Sequence, residues 1–150
     1  MTLTLELGAT GGHGVPPLQN HTRRAHVELG LERLLQEGSL SGRAGLICNQ
    51  ASVNHGYLHA ADLVHDYDGI DLRALFGPQH GIRGDVQDNM IESGHGVDRK
   101  TGLPVHSLYS ETREPSDAML ADIDVLIFDM QDVGCRIYTF VYTLANCMRA

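Results

Sequence analysis

Four short aliphatic runs punctuate this chain, within Arg43 to Asn49 (AGLIC), Leu72 to Phe76 (LRALF), Pro104 to Leu108 (PVHSL) and Val125 to Phe128 (VLIF), and stretches of helical apolar spacing separate them. This alternation constrains the fold more than any other feature. Strands that alternate with helices are joined by crossovers, and crossovers join parallel strands in a right-handed sense. The pattern predicts an α/β fold: a Rossmann-like, doubly wound parallel sheet of about four strands with about four flanking helices. Runs as apolar as LRALF and VLIF suit strands covered on both faces.

The helices are marked by spacing and punctuation. From His26 onward Val27, Leu29, Leu31, Leu34 and Leu35 partly follow a helical period, and Gly38 supplies a stop. Leu58 to His65 repeats the period with Leu58, Ala61, Leu63 and Val64 expected inward, and Asp68-Gly69 breaks it. Pro115-Ser116-Asp117 starts a short helix with Ser116 as N-cap, and Tyr138 to Met148 carries an apolar stripe. Residues 1–25, with the run GATGGHGVPP, read as a loose leader outside the fold. Residues 26–150 read as one domain. At 150 residues a chain buries roughly two-thirds of its unfolded surface, enough for a single core. No strand follows the last helix, so the sheet is expected to be incomplete.

With 11 basic and 19 acidic side chains the formal charge is −8, which repels a phosphate backbone and argues against nucleic acid as a partner. Cys48, Cys135 and Cys147 show neither CxxC spacing nor a disulfide framework, and their apolar surroundings suit buried thiols in a reducing compartment. No run approaches the roughly 20 apolar residues of a membrane span. The start lacks a basic stretch followed by an apolar one, so the chain as written is expected in the cytoplasm; a different true start would move it to the periplasm or outside the cell.

Chemistry concentrates where strands end. Leu75 to Glu92 reads LFGPQHGIRGDVQDNMIE, an apolar strand broken by Gly77-Pro78 and followed by Gln79, His80, Arg83, Asp85, Gln87, Asp88 and Glu92. The VLIF strand likewise runs into Asp129, Gln131, Asp132 and Arg136, and Tyr109 to Arg113, including Glu111, follows the PVHSL strand. In open α/β sheets ligands bind outside the carboxyl ends of the strands, so these loops are expected to converge on one crevice if their strands are neighbours. Structural roles stay open to the same residues: Asp85 and Asp88 as solvated turn residues, Asp132 bracing a turn, Arg83 and Arg136 pairing with acids.

The first loop lacks GxGxxG, and no GxxxxGK[ST] occurs, which disfavours a nucleotide site. His80, Asp85, His95 and His106 show no HExxH or comparable metal spacing, and a Ser-His-Asp triad lacks its GxSxG elbow. Paired carboxylates suit glycoside hydrolysis better, since that reaction sets two acids about a sugar bond and raises the pKa of one. Glu92 and Glu111 are candidates on flexible loops; Asp129 and Asp132 are candidates beside a buried strand end.

The ordered segments GLICNQASV (Gly45 to Val53), LFGPQHGIRGD (Leu75 to Asp85), TGLPVHSLYSETREP (Thr101 to Pro115) and DVLIFDMQDVGCRIYTF (Asp124 to Phe140) resemble the exo-β-N-acetylmuramidases of the NamZ/YbbC-like family. The resemblance runs from about Gly30 to Ala150. It implies a hydrolase that removes terminal N-acetylmuramic acid from the non-reducing end of peptidoglycan fragments without a cofactor, its cleft lying between a Rossmann-like N-terminal subdomain and a C-terminal one. Family members are well over twice this length, so the C-terminal subdomain is expected to be missing. Many relatives carry glutamate in a PEHG motif where this chain has Gln79, whose amide cannot serve as a general acid. The resemblance then implies Glu92 as the acid, assisted by Glu111 and Asp129. His80 and Arg83 shape the site, and Gln79, Gln131, Asp132, Arg136 and Tyr138 bind or position the sugar. The competing expectation is a non-catalytic sugar-binding or structural fragment. A metal-dependent hydrolase, inactivated by a chelator, is a third class.

Overall fold

A computed structural model describes residues 27–38, 40–78, 80–84, 94–134 and 139–150. Its elements run α1 (Gly30–Glu37), β1 (Arg43–Cys48), α2 (Ala60–His65), β2 (Asp71–Gly77), β3 (Gly96–Val97), β4 (Pro104–Ser107), α3 (Asp117–Leu120), β5 (Val125–Asp129) and α4 (Phe140–Arg149). The sheet order is β3-β4-β2-β1-β5. Pairings β4–β2, β2–β1 and β1–β5 are parallel, as the alternation predicted, whereas β3 adds an antiparallel edge. That fifth strand escaped the sequence reading because two residues, Gly96 and Val97, carry no period, and both are exposed.

From β1 the chain moves outward through β2 to β4, then returns to the other side of β1 to lay down β5. The direction reverses between β1 and β5, which makes their carboxyl ends a topological switch point. α1 and α2 cover one face, packing Leu31, Ala60, Ala61 and Val64 on Leu46, Cys48 and Leu75. Across the sheet Ile47, Ala74 and Phe76 meet Cys147 of α4 and Met119 and Leu120 of α3. Successive residues of β1 thus serve opposite cores, and five of its six residues are buried.

The run Leu72, Ala74, Leu75, Phe76 breaks strict alternation, and a register shift explains how it fits. Ala44 pairs with Leu72 but Gly45 pairs with Ala74, so one extra residue, Arg73, is accommodated at the exposed strand start. A bulge of this kind moves the following side chains to the other face, which lets Leu72 and Leu75 join one core while Ala74 and Phe76 join the other.

At the opposite, amino edge, Arg43 forks onto Asp124, with Nε–Oδ2 2.9 Å and Nη2–Oδ1 2.8 Å, pinning the starts of β1 and β5 together. All five residues of β5 stay partly exposed because, among the described residues, only β1 pairs with it. On α4, Val141, Leu144 and Met148 are exposed at helical spacing. Leu58, expected inside, precedes α2 and is exposed; Ala60 takes the inward place. Among the described residues no helix is long and apolar enough to cross a membrane. The expected leader, residues 1–25, lies outside the described residues.

Gly45 allows the closest approach in the sheet: a Cβ there would lie 2.8 Å from both Leu126 Cδ2 and Phe76 Cε2. Overpacking a core typically costs about 1–3 kcal/mol. Gly45→Ala should lower stability by that amount, read as a reduced urea midpoint with unchanged slope.

Candidate active site at the carboxyl edge of the sheet

The crevice is built on the loop that leaves β1. Asn49 and Ser52 are buried, so their polar atoms need partners. Asn49 Oδ1 accepts from Ala51 N at 2.9 Å, and Asn49 N donates to Ser52 Oγ at 3.0 Å. The Ser52 hydroxyl donates to the backbone carbonyl of Asp129, tying this loop to the end of β5. His59, the residue before α2, accepts from Ala61 N at 3.1 Å through Nδ1. Its Nε2 lies 3.0 Å from both Asn49 O and Ile82 O. Two carbonyl partners require Nε2 to carry the proton, which sets the tautomer.

Beside this, Arg83 holds two acids. Its Nε and Nη2 donate to Asp98 at 2.7 and 2.8 Å, and Nη2 donates to Asp62 at 2.7 Å. Asp98 also accepts from Thr101 N and Oγ1, and Lys100 reaches Asp62. Hydrogen bonding from Arg83 holds the Asp98 carboxyl far below the usual carboxylate range, against its burial. For Asp62, burial acts upward but Arg83 and Lys100 outweigh it. The network joins α2, the turn after β2 and the turn before β4.

Asp129 is the opposite case. It ends β5 at the switch point, paired in register with Cys48. Burial raises its pKa, and the nearby His59 opposes that only in part; no hydrogen bond from a described residue stabilises the anion. A carboxyl kept protonated to higher pH in a crevice is what acid–base chemistry uses. Burial also pushes the Cys48 thiol up to about 12, so it is inert.

The remaining expected residues are distributed as follows. His80 sits in the turn after β2 with φ 75, a left-handed conformation uncommon for a residue with a side chain. Gln131 and Asp132 are exposed, and Asp132 Oδ1 accepts from Gly134 N at 3.1 Å, bracing the turn. Glu111 is exposed beyond β4. Gln79, Glu92, Arg136 and Tyr138 lie outside the described residues, as do Asp85, Gln87, Asp88 and Cys135.

The strands β2 and β5 are not neighbours, because β1 lies between them. The β1 loop fills that gap, so Asn49, Ser52 and His59 join the site without having been singled out in the sequence. The β4 and β5 ends stand three strand spacings apart, about 14 Å, so Glu111 starts far from Asp129. Asp62 and Asp98 were also missed; neither lies in a strand-end motif. Among the described residues no group of three His, Cys, Asp or Glu is placed to hold a metal ion. His95 and His106 do meet edge-on, with ring centroids 5.8 Å apart.

A doubly wound α/β domain with a partly buried carboxylate at its switch point is the class that this geometry defines. Within that class the chain belongs to the family described as exo-beta-N-acetylmuramidase NamZ, N-terminal, whose model matches residues 44–150. The peptidoglycan beta-N-acetylmuramidase NamZ of Bacillus subtilis (strain 168) is 43% identical over 145 residues, covering 94% of this chain and 35% of that protein. A DUF1343 family protein from Bacteroides fragilis NCTC 9343 has a crystal structure similar to this fold, with TM-score 0.69 and 41% identity, covering 79% of this chain and 30% of that one. A second DUF1343 protein of the same strain gives TM-score 0.60 at 30% identity over the same shares. The chain thus spans about a third of the length of these relatives.

Removing one partner of a largely buried ion pair costs roughly 3 kcal/mol. Arg83→Ala should lose about that much at neutral pH. Because the folded pKa of Asp98 lies below its unfolded value near 3.9, its contribution is complete above about pH 4 and is lost as pH falls toward the folded value. The gap in stability between wild type and Arg83→Ala should therefore narrow in urea titrations below pH 4.

Proposed function

We propose that this chain forms one wall of an exo-β-N-acetylmuramidase that releases terminal N-acetylmuramic acid from the non-reducing end of peptidoglycan fragments. The observation that carries this reading is Asp129, a half-buried carboxyl with raised pKa at the switch point of a NamZ-family domain. Glycoside hydrolysis needs such an acid environment and a second carboxylate across the bond. Glu92 is assigned as general acid, in place of the amide at Gln79, with Asp129 and Glu111 as assisting carboxylates. His80 shapes the rim by its strained backbone, and Arg83 acts through the acids it holds. Gln79, Gln131, Asp132, Arg136 and Tyr138 position the sugar. No cofactor is called for, since proton transfer and water suffice.

The second wall is assigned to the polypeptide that makes up the remainder of the longer relatives. Its support is the share covered, 35% of the Bacillus subtilis protein, together with the unpaired β5 edge and the exposed Val141, Leu144 and Met148 on α4. The same observation favours a second reading, in which this chain alone binds sugar or serves as a structural fragment without turnover. Release of N-acetylmuramic acid from muropeptide fragments separates the two: the 150-residue chain should be nearly inert, and a form extended as in the relatives should be active. Robust turnover by the chain alone overturns the one-wall reading.

In the active form Glu92→Gln should cut turnover by at least about two orders of magnitude, the usual range for a general acid; near-normal activity removes Glu92 from the role. Asp129→Asn should likewise lower activity yet stabilise the fold at pH 7. The raised folded pKa means that the native state suffers a penalty once the carboxyl ionises, which develops as pH rises above about 4. The gain should therefore be present in thermal melts at pH 7 and absent below pH 4.

A further inference from the structure

His59 joins three elements at the carboxyl edge by bonds to backbone alone. Nε2–H is shared between Asn49 O, at the exit of β1, and Ile82 O, in the turn after β2, each at 3.0 Å. Nδ1 accepts from Ala61 N at 3.1 Å and caps α2. With both ring nitrogens committed, this imidazole has no lone pair or proton to offer a substrate. It is not a catalytic group, although it lies beside one.

One of the two loops it bridges, the loop after β1, borders Asp129. Cys48 pairs in register with Asp129, so Asn49 emerges next to the end of β5. The Asn49 amide donates to Ser52 Oγ, and the Ser52 hydroxyl donates to Asp129 O. On the other side Ile82 is buried and carries Arg83 directly after it. A Cβ on Gly77 would lie 3.1 Å from Ile82 Cγ2, so the turn after β2 folds back closely on its own strand. Nothing but the His59 bridge among the described hydrogen bonds links that turn to the β1 loop by side chain to main chain.

We infer that His59 is a positioning residue: its Nε2–H holds the loops after β1 and β2 at a fixed separation and so keeps the Asp129 carboxyl in its half-buried setting. The catalytic consequence rests on the glycosidase reading; the structural consequence does not. The imidazole cap and the imidazole bridge are separable by chemistry. Asparagine places an acceptor near Nδ1 and is a preferred N-cap, but is too short to reach the two carbonyls. Glutamine places an amide N–H near Nε2 and is a poor cap.

The test compares wild type, His59→Asn and His59→Gln by ¹³C titration of the Asp129 carboxyl and by amide exchange at Ser52, which donates to Asn49 O. His59→Asn should melt near the wild-type temperature and exchange at Ser52 at least about tenfold faster. His59→Gln should keep the wild-type exchange while losing thermal stability; both variants lack the imidazole that lowers the Asp129 pKa, so the two are compared with each other, and Asp129 should titrate lower in His59→Asn than in His59→Gln. In the enzymatically active, extended form, kcat should fall at least about tenfold in His59→Asn and be restored in His59→Gln. Wild-type exchange in His59→Asn, or equal exchange and equal Asp129 titration in the two variants, would overturn the proposal and leave His59 a helix cap. Should either variant fail to fold, the long-range ¹H–¹⁵N spectrum of wild type decides: a proton on Nε2 is required, and a neutral ring protonated at Nδ1 alone refutes the bridge. Absence of turnover in wild type would count against the glycosidase reading while the titration and exchange results still judge His59.

Discussion

Everything in this domain hangs on the double burial of β1. Its residues alternate between two cores, with Ala44, Leu46 and Cys48 against α1 and α2 and Ile47 against the α3 and α4 side. Parallel neighbours hold it on both edges. Such a strand cannot shift by one residue without exchanging its faces, so its register sets those of β2 and β5. The bulge at Arg73 is the adjustment that lets β2 obey this demand. Because β1 is central, the loop that leaves it must lie between the loops of its neighbours, and a crevice at the switch point follows from the chain order alone.

The crevice joins two electrostatic regimes within one rim. Arg83 pairs with Asp62 and Asp98, and the resulting bonds join segments distant in sequence. At Asp129 burial outweighs the opposing influence of His59. The first arrangement stabilises; the second costs stability and is the sort of local conflict that a reactive group requires. His80, held at positive φ in the adjoining turn, is a second such conflict at the same edge.

Much of the architecture was legible because each major element had a local cause. Leu72, Ala74, Leu75 and Phe76 announced a strand covered on both faces, and Gly77-Pro78 its end. The aliphatic run Val125 to Phe128 did the same for β5, and Ser116 takes the N-cap position of α3, although its side chain makes no capping hydrogen bond. β3 was not legible, since its two residues are strand only by pairing with β4. Leu58 misled for a related reason: it has the right period, but His59 caps the helix after it, leaving it outside. In the site, Arg83 and Asp129 were visible as polar residues at strand ends, whereas His59, Asn49 and Ser52 look like ordinary loop residues until the loops are brought together.

By itself the sequence determined the class of fold and the family, because apolar period and turn residues act over a few neighbours and survive in one dimension. Only the tertiary structure decided which loops share the crevice and what each polar group does there. Arg83 became the holder of Asp62 and Asp98, and Asp129 the carboxyl left in a poorly solvated place. Those roles depend on strand order and on distances between residues far apart in the chain. Coulomb and desolvation terms are set by that separation in space, which no local pattern encodes.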